Sequence, residues 1–374
     1  MSDGIPFDIQ TEIIRRLDVK SVLRSRSVSK SWKSLIDYPK FVASYGVDHI
    51  QMRVFLTSHP IKVWSHEYKS FVDDGDTLSF DQTLDPVPPK GPDNLHIIRI
   101  IGSSHGLICS ACVYYNNGKA YGIYAIWNPF IRKSVGIEVP TSSFFKVYFG
   151  VCPVNLDPKL VKITIANSKW LVEIYTLSSD SWRKISNNMP RGTLEISQNK
   201  AVVVTDRFIY WVATDSAPVA ANGNSQGNCL IIVDFDLTIE EFLLIEIPNF
   251  ISPRELYDIS KLRDSLVVLI YSIEAVTKNV GCEVWMMDNV QSKTMFNKLY
   301  NIEASNLILY GVRGFTKSGS PIIVMADGHD WKRDGLYVYE PKSKKCSTKI
   351  TGIDRAQFRF DVYNYHDTLL LLNR

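Results

Sequence analysis

One unit returns at close to fifty-residue spacing through most of this chain, and that period limits the available folds more than any other feature. Each copy is an alternating strand ending on an aromatic or acidic residue, a polar turn, then a strand that often opens on a basic residue. The copies read "YGIYAIWNPFIRKSVGIEVP", "WLVEIYTLSSDSWRKI", "CLIIVDFDLTIEEFLLIEIP", "CEVWMMDNVQSKTMFNKL" and "GLYVYEPKSKKCSTKI". With Trp127, Tyr175, Asp234, Trp285 and Val338 as markers, the steps are 48, 59, 51 and 53 residues. The longest step holds "DSAPVAANGNSQGN", Asp215 to Asn228, whose small residues predict an exposed loop. A period of this length accommodates several strands, and a single copy cannot bury its own faces. Stacking the copies predicts a β-propeller of about six blades from residue 50 onward. The stretches "QMRVFLTS", "IKVWSHEYKSFVD" and "NLHIIRII", with the closing "FDVYNYHDTLLLLNR", then supply the ends, sharing a blade or adjoining to close the ring. A two-sheet β-sandwich is the alternative.

Residues 1–45 follow a different rhythm. Ile9, Ile13 and Leu17 recur at helical spacing, with Pro6 just ahead where a helix start tolerates it. Ser21 is a candidate cap for a second helix with Val22 and Leu23 turned inward. Ser29 is a candidate cap for a third, whose face is Trp32, Leu35 and Ile36, and Pro39 is expected to end the helical zone. Three helices this short do not stabilise themselves without a disulfide, a metal or a partner. The segment contains neither cysteine nor histidine. Its apolar stripe must be covered by the β domain or by another chain, and these residues alone leave both open.

Charge favours an acidic partner for this segment. The formal net charge of +3 lies entirely within it. Arg15, Arg16, Lys20, Arg24, Arg26, Lys30, Lys33 and Lys40 outweigh Asp3, Asp8, Glu12, Asp18 and Asp37, while the remaining residues balance. The balanced β region lacks the cationic surplus of a nucleic-acid binder, so no nucleic-acid partner is expected. No apolar leader and no run approaching ~18 apolar residues is present, so no membrane partner is expected. The six cysteines are scattered and no N-x-[ST] site occurs, which predicts a reducing compartment, cytoplasmic and/or nuclear. Neither a cofactor nor a metal is expected.

The stretch "IPFDIQTEIIRRLDVKSVLRSRSVSKSWKSLI", residues 5–36, resembles the F-box motif, the adaptor-binding helical hairpin of substrate receptors in cullin–RING ubiquitin ligases. Asp18 departs from the motif's usual proline and Ser25 from its usual aromatic. The resemblance implies docking on an acidic, helical Skp-type adaptor and, through it, on cullin and RING subunits. It assigns Ile5, Pro6, Ile9, Ile13, Leu17, Leu23, Val28, Trp32, Leu35 and Ile36 as docking side chains, with Arg26 and Lys30 as supporting charges. Further on, "GSSHGLICSACV", "YAIWNPFIRKSVGIEVP" and "GLYVYEPKSKKCSTKI" resemble the F-box-associated, kelch-like region of plant F-box proteins. The double-glycine kelch signature is absent, so the blade number rests on spacing. The expected class is thus α+β and multidomain: a small helical F-box (1–45), then an all-β propeller-like domain (46–374) that captures a substrate protein of unknown identity. The implied function is the substrate-recognition subunit of a Skp–cullin–F-box ubiquitin ligase, with no catalytic residue of its own.

Two other functions compete: a serine hydrolase, and an interaction propeller outside any ligase. Gly102-Ser103-Ser104-His105-Gly106 fits G-x-S-x-G, whose chemistry requires the serine on a strand-to-helix turn. Here the following "LICSACVYYNNG" reads as a strand, which favours the start of a blade over a nucleophilic Ser104. Cys109 and Cys112, near His105, are spaced so that on a strand they face opposite sides and do not share an ion. The "ADGHDWKRDG" stretch places His329, Trp331, Lys332 and Arg333 on a polar hairpin tip, where nothing structural requires a tryptophan. These four are the candidate substrate-binding residues.

Overall fold

The computed structural model describes residues 5–373 apart from 46–51, 59–66, 76, 86–88, 90–94, 117–118, 140–144, 167–168, 187–189, 198–201, 216–228, 248–255, 274–279, 291–292, 304–307, 327–334 and 351–359. The chain begins with four short helices, α1 (Phe7–Arg15), α2 (Val19–Arg26), α3 (Lys30–Ile36) and α4 (Pro39–Ser44). The fourth was not expected. Pro39 stands at its first position, where a missing N–H costs nothing, so it starts a helix instead of ending the helical zone.

From Met52 onward the alternation of apolar and polar residues is realised as six antiparallel sheets. The first three strands are β1 (Met52–Ser58), β2 (Glu67–Asp73) and β3 (Leu78–Thr83). Blade 2 is β4 (His96–Ser104), β5 (Leu107–Asn116), β6 (Lys119–Asn128) and β7 (Lys133–Glu138). Blade 3 is β8 (Phe145–Val151), β9 (Pro158–Ala166), β10 (Lys169–Thr176) and β11 (Ser181–Ile185). Blade 4 has a first strand split into β12 (Leu194–Ile196) and β13 (Val202–Val204), both paired to β14 (Phe208–Asp215), then β15 (Cys229–Asp236) and β16 (Phe242–Glu246). Blade 5 is β17 (Leu256–Leu262), β18 (Ser265–Ile273), β19 (Val280–Val290) and β20 (Lys293–Ile302). Blade 6 is β21 (Ile308–Phe315), β22 (Pro321–Ala326), β23 (Gly335–Glu340) and β24 (Lys345–Lys349). The last strand, β25 (Phe360–His366), returns to pair antiparallel with β1, Met52 opposite His366 and Ser58 opposite Phe360. Blade 1 is therefore β25-β1-β2-β3, and both ends of the β region share it.

The five sequence markers all fall on the third strand of a blade: Trp127 on β6, Tyr175 on β10, Asp234 on β15, Trp285 on β19 and Val338 on β23. The period is thus the repeat of one strand–turn–strand corner. In several copies that corner is fixed by a residue with positive φ, namely Arg132, Asp180, Glu240 and Lys344, as in hairpin loops that end on a left-handed residue. Separate apolar layers fill all six junctions between neighbouring blades, and this is the closure that a two-sheet sandwich lacks. Phe55 and Trp127 share the layer between blades 1 and 2, and Val54 and Ile322 the layer between blades 6 and 1. Among the described residues no helix is long and apolar enough to cross a membrane.

One buried carboxylate gives the ring a pH signature. Asp234 is buried in β15 and accepts the Leu243 N–H at 3.0 Å. Burial pushes its pKa up to about 6, against the pull of that hydrogen bond. A folded-state pKa above the unfolded value contributes stability that is full below the ordinary carboxylate range and lost as pH rises through 6. Asp234→Asn keeps an acceptor for Leu243 and removes the charge. It is expected to raise stability at pH 7.5 by about 2 kcal/mol and to flatten the decline from pH 5 to 7.5. Thermal melts at both pH values check this, and identical wild-type and variant profiles would contradict it.

Candidate functional site

The helical unit has two faces with opposite fates. On one, Ile14, Val19, Val22, Leu35, Ile36, Phe41 and Tyr45 form a buried cluster, completed by Leu369 and Leu372 from beyond β25 and flanked by Phe130 and Ile131 of the β6–β7 turn. On the other, Ile9 and Ile13 remain open at 52% and 49% exposed, and Ile5, Phe7 and Val28 are exposed elsewhere on the unit. Exposed apolar side chains this concentrated on a short helix mark an unfilled contact. The β domain thus covers part of the unit and leaves its Ile9–Ile13 stripe bare.

Local hydrogen bonds hold this arrangement. Pro6 precedes α1, and its carbonyl accepts from the N–H groups of Ile9 and Gln10. Asp18, not Ser21, caps α2: its Oδ1 accepts the Ser21 N–H at 3.0 Å and its Oδ2 the Ser21 hydroxyl at 2.8 Å. A carboxylate is the stronger cap, and Ser21 lies one turn too far inside the helix to serve. These bonds hold the Asp18 carboxyl below its usual pKa. Ser29 caps α3 as expected, accepting the Trp32 N–H at 3.1 Å. Trp32 Nε1 donates to Gln10 Oε1 at 2.8 Å and ties α3 to α1. Arg26 grips Asp37 with two bonds, Nε to Oδ1 at 2.5 Å and Nη2 to Oδ2 at 2.9 Å, and this pairing raises the pKa of its guanidinium. Tyr45 donates its hydroxyl to the Leu17 carbonyl at 2.7 Å.

The sequence-predicted residues therefore sort into three environments. Ile5, Pro6, Ile9, Ile13, Val28 and Lys30 are exposed. Leu17, Leu23, Arg26 and Trp32 are half-buried. Leu35 and Ile36 lie in the unit's own core. Phe7, 53% exposed, belongs with the open residues, and sequence reading missed it because it falls outside the Ile9–Ile13–Leu17 repeat.

The positions of the connections follow from topology. The helices meet the β6–β7 turn and the segment after β25, so they sit where first strands end and third strands turn into fourth. The connections between second and third strands start at the other end of the ring. His329, Trp331, Lys332 and Arg333 lie outside the described residues, as do residues 216–228. Both stretches join second to third strands, between flanking pairs: Asp215 with Cys229, and Met325 with Gly335.

Ser104 ends β4, and a two-residue turn, His105 (φ 48°) and Gly106 (φ 78°), leads directly into β5. This is a strand–turn–strand corner. The buried Ser104 hydroxyl accepts the Val151 N–H at 3.1 Å and lies 3.1 Å from His105 Nδ1, so it links blades 2 and 3. Cys109 and Cys112 are buried free thiols whose pKa burial pushes up.

The family model for an F-box domain matches residues 3–43, and that for an F-box associated beta propeller domain matches residues 74–372. The Arabidopsis thaliana F-box protein At5g18160 is 25% identical over 94% of this chain and 84% of its own length. The Arabidopsis thaliana F-box protein At1g47730 is 24% identical over 86% of this chain and 79% of its own. Among solved structures, the β-propeller domain of the Trilobed protease from Pyrococcus furiosus is similar over 68% of this chain and 72% of that one, at 14% identity and a TM-score of 0.38.

Proposed function

The chain belongs to the plant F-box proteins that carry an F-box associated β-propeller, and from that membership we propose that it is the substrate-recognition subunit of a Skp–cullin–F-box ubiquitin ligase. The helices, residues 1–45, dock a Skp-type adaptor, and through it the chain joins cullin and RING subunits. The propeller, residues 46–374, captures a target protein. The observation that carries this reading is the bare Ile9–Ile13 stripe of α1, with exposed Ile5 just ahead of the helix, left open although Ile14 is already buried in the cluster with Leu369 and Leu372. An amphipathic helix of this kind is completed by a partner groove. The basic excess of the segment steers encounter with an acidic adaptor and acts on association rate more than on affinity. Leu17, Leu23, Arg26 and Trp32 shape the same surface from half-buried positions.

Target capture falls to the end of the ring away from the helices, where the stretch containing His329, Trp331, Lys332 and Arg333 and the stretch of residues 216–228 have their flanking strand pairs. Bond chemistry belongs to the RING-bound ubiquitin carrier. This chain contributes proximity, which converts a bimolecular encounter into an intramolecular one. The ligase setting places it in the cytoplasm or nucleus.

The test uses full-length protein and a purified Skp adaptor. Ile9→Asp with Ile13→Asp changes only exposed positions, so the fold is retained. Adaptor affinity is expected to fall about 30-fold or more, roughly 2 kcal/mol. Wild-type protein that fails to bind the adaptor, or a double variant that binds as tightly, would overturn the reading.

A further inference from the structure

The segment Thr368–Asn373 joins three parts of the molecule that nothing in its sequence connects. It leaves the ring-closing strand β25 and crosses blade 2. Asn128 is fully buried there and donates both its Nδ2 hydrogens, to the carbonyls of Thr368 and Leu370, each at 2.9 Å. Its Oδ1 accepts the Phe130 N–H at 2.9 Å, so its amide is committed at both ends. Lys133 Nζ donates to the Leu372 carbonyl at 2.5 Å. Leu370 and Leu371 enter the apolar layer between blades 2 and 3, whereas Leu369 and Leu372 turn the other way and complete the core of the helices. Leu371 has φ of 70°, and this left-handed residue lets the segment serve both sides. Asn373 Nδ2 then donates to the Asp37 carbonyl at 2.9 Å, on the residue whose carboxylate Arg26 holds.

We propose that Leu369 and Leu372 are positioning residues that fix the angle of the helices to the ring, through a strap of residues 368–373. The proposal rests on the receptor reading above and deepens it: a receptor works by presenting its target at a set distance, and delivered effective concentration depends on that geometry. The side of the unit that the strap occupies is distinct from the bare Ile9–Ile13 stripe, so orientation and adaptor affinity are separable. The strap begins at β25, so orientation is also tied to ring closure.

The experiment uses the full-length chain with Leu369→Ala and Leu372→Ala. Spin labels are attached through a non-natural keto amino acid at the exposed positions of Arg24 and Lys184, and distances are read by double electron–electron resonance. The label-to-label distribution is expected to broaden about twofold and amide exchange in the helices to rise about tenfold, with blades 3 to 5 unchanged. Adaptor affinity is expected to stay within about threefold while ubiquitin transfer to a target tethered on the propeller falls about tenfold. A distribution as narrow as that of the wild type would overturn the proposal. Should the double variant fail to fold, Lys133→Ala with Asn373→Ala removes the hydrogen bonds that tie the strap to Lys133 and to Asp37 and leaves its leucines in place. That pair is expected to broaden the distribution too, and an unchanged width there is equally decisive against the proposal. The distance measurement needs no adaptor, so wild-type protein that does not bind Skp would sink the receptor reading alone.

Discussion

Replacing Gly106 by alanine is expected to destabilise the ring by roughly 3 kcal/mol or more. Gly106 follows His105 in the two-residue turn between β4 and β5, and its φ of 78° is one that a side chain disfavours. The larger part of the cost is steric. A Cβ at this position would lie 2.4 Å from the His366 carbonyl oxygen and 2.7 Å from Thr368 Cγ2. Neither atom can yield cheaply: one is backbone at the end of the ring-closing strand, and the other begins the strap that reaches the helices. Gly102 is the internal control. A Cβ there meets only Val204 Cγ2, at 3.9 Å, so Gly102→Ala is expected to cost within about 1 kcal/mol. Urea denaturation of both variants decides the point, and equal midpoints would contradict it. The contrast also explains the G-x-S-x-G match. Its last glycine is demanded by a tight approach between blades 1 and 2, and its serine bridges to blade 3; no strand-to-helix elbow is involved.

Much of the fold was legible because it is periodic. Each blade repeats one corner, so five short markers fall on equivalent strands, and the length of the β region divided by their period of near fifty residues gives about six blades. Closure was legible for a related reason: a partial blade at one end of the β region requires its complement at the other, and β25 supplies it beside β1. Local capping was read less well. Ser21 is a candidate cap by residue type yet Asp18 caps α2, and Pro39 starts α4 instead of ending the helical zone, because propensity ranks residue types without knowing where a helix begins. The apolar stripe of the candidate site is legible in the sequence, but its division between open and buried residues is not. Ile13 and Ile14 are adjacent, and only the fold says that the first faces outward and the second is 1% exposed. What decides it is Leu369 and Leu372, more than three hundred residues away, arriving by a route that no local pattern encodes.

Trp211 is where the ring should be most sensitive to truncation, and Trp211→Ala is expected to cost about 4 kcal/mol. Its indole, 1% exposed on β14, is stacked on Tyr148 with centroids 5.0 Å apart and planes 2° from parallel, and Phe242 meets it edge-on at 6.0 Å. Tyr148 belongs to blade 3 and Phe242 to blade 4, so the ring fills the junction between two blades. Neighbouring blades cannot collapse onto the void without disturbing the closed circle, which puts the expected loss toward the upper end for an aromatic truncation. Trp211→Phe separates packing from polarity. The indole Nε1 is buried without a hydrogen-bond partner among the described residues. An unmet donor costs free energy, so removing it offsets part of the lost volume, and Phe is expected to cost only about 1 kcal/mol. Denaturant midpoints followed by fluorescence and by circular dichroism give the order: wild type, then Phe slightly below, then Ala far below. If Phe proves as damaging as Ala, the indole N–H contributes to the junction and the packing account of blades 3 and 4 fails.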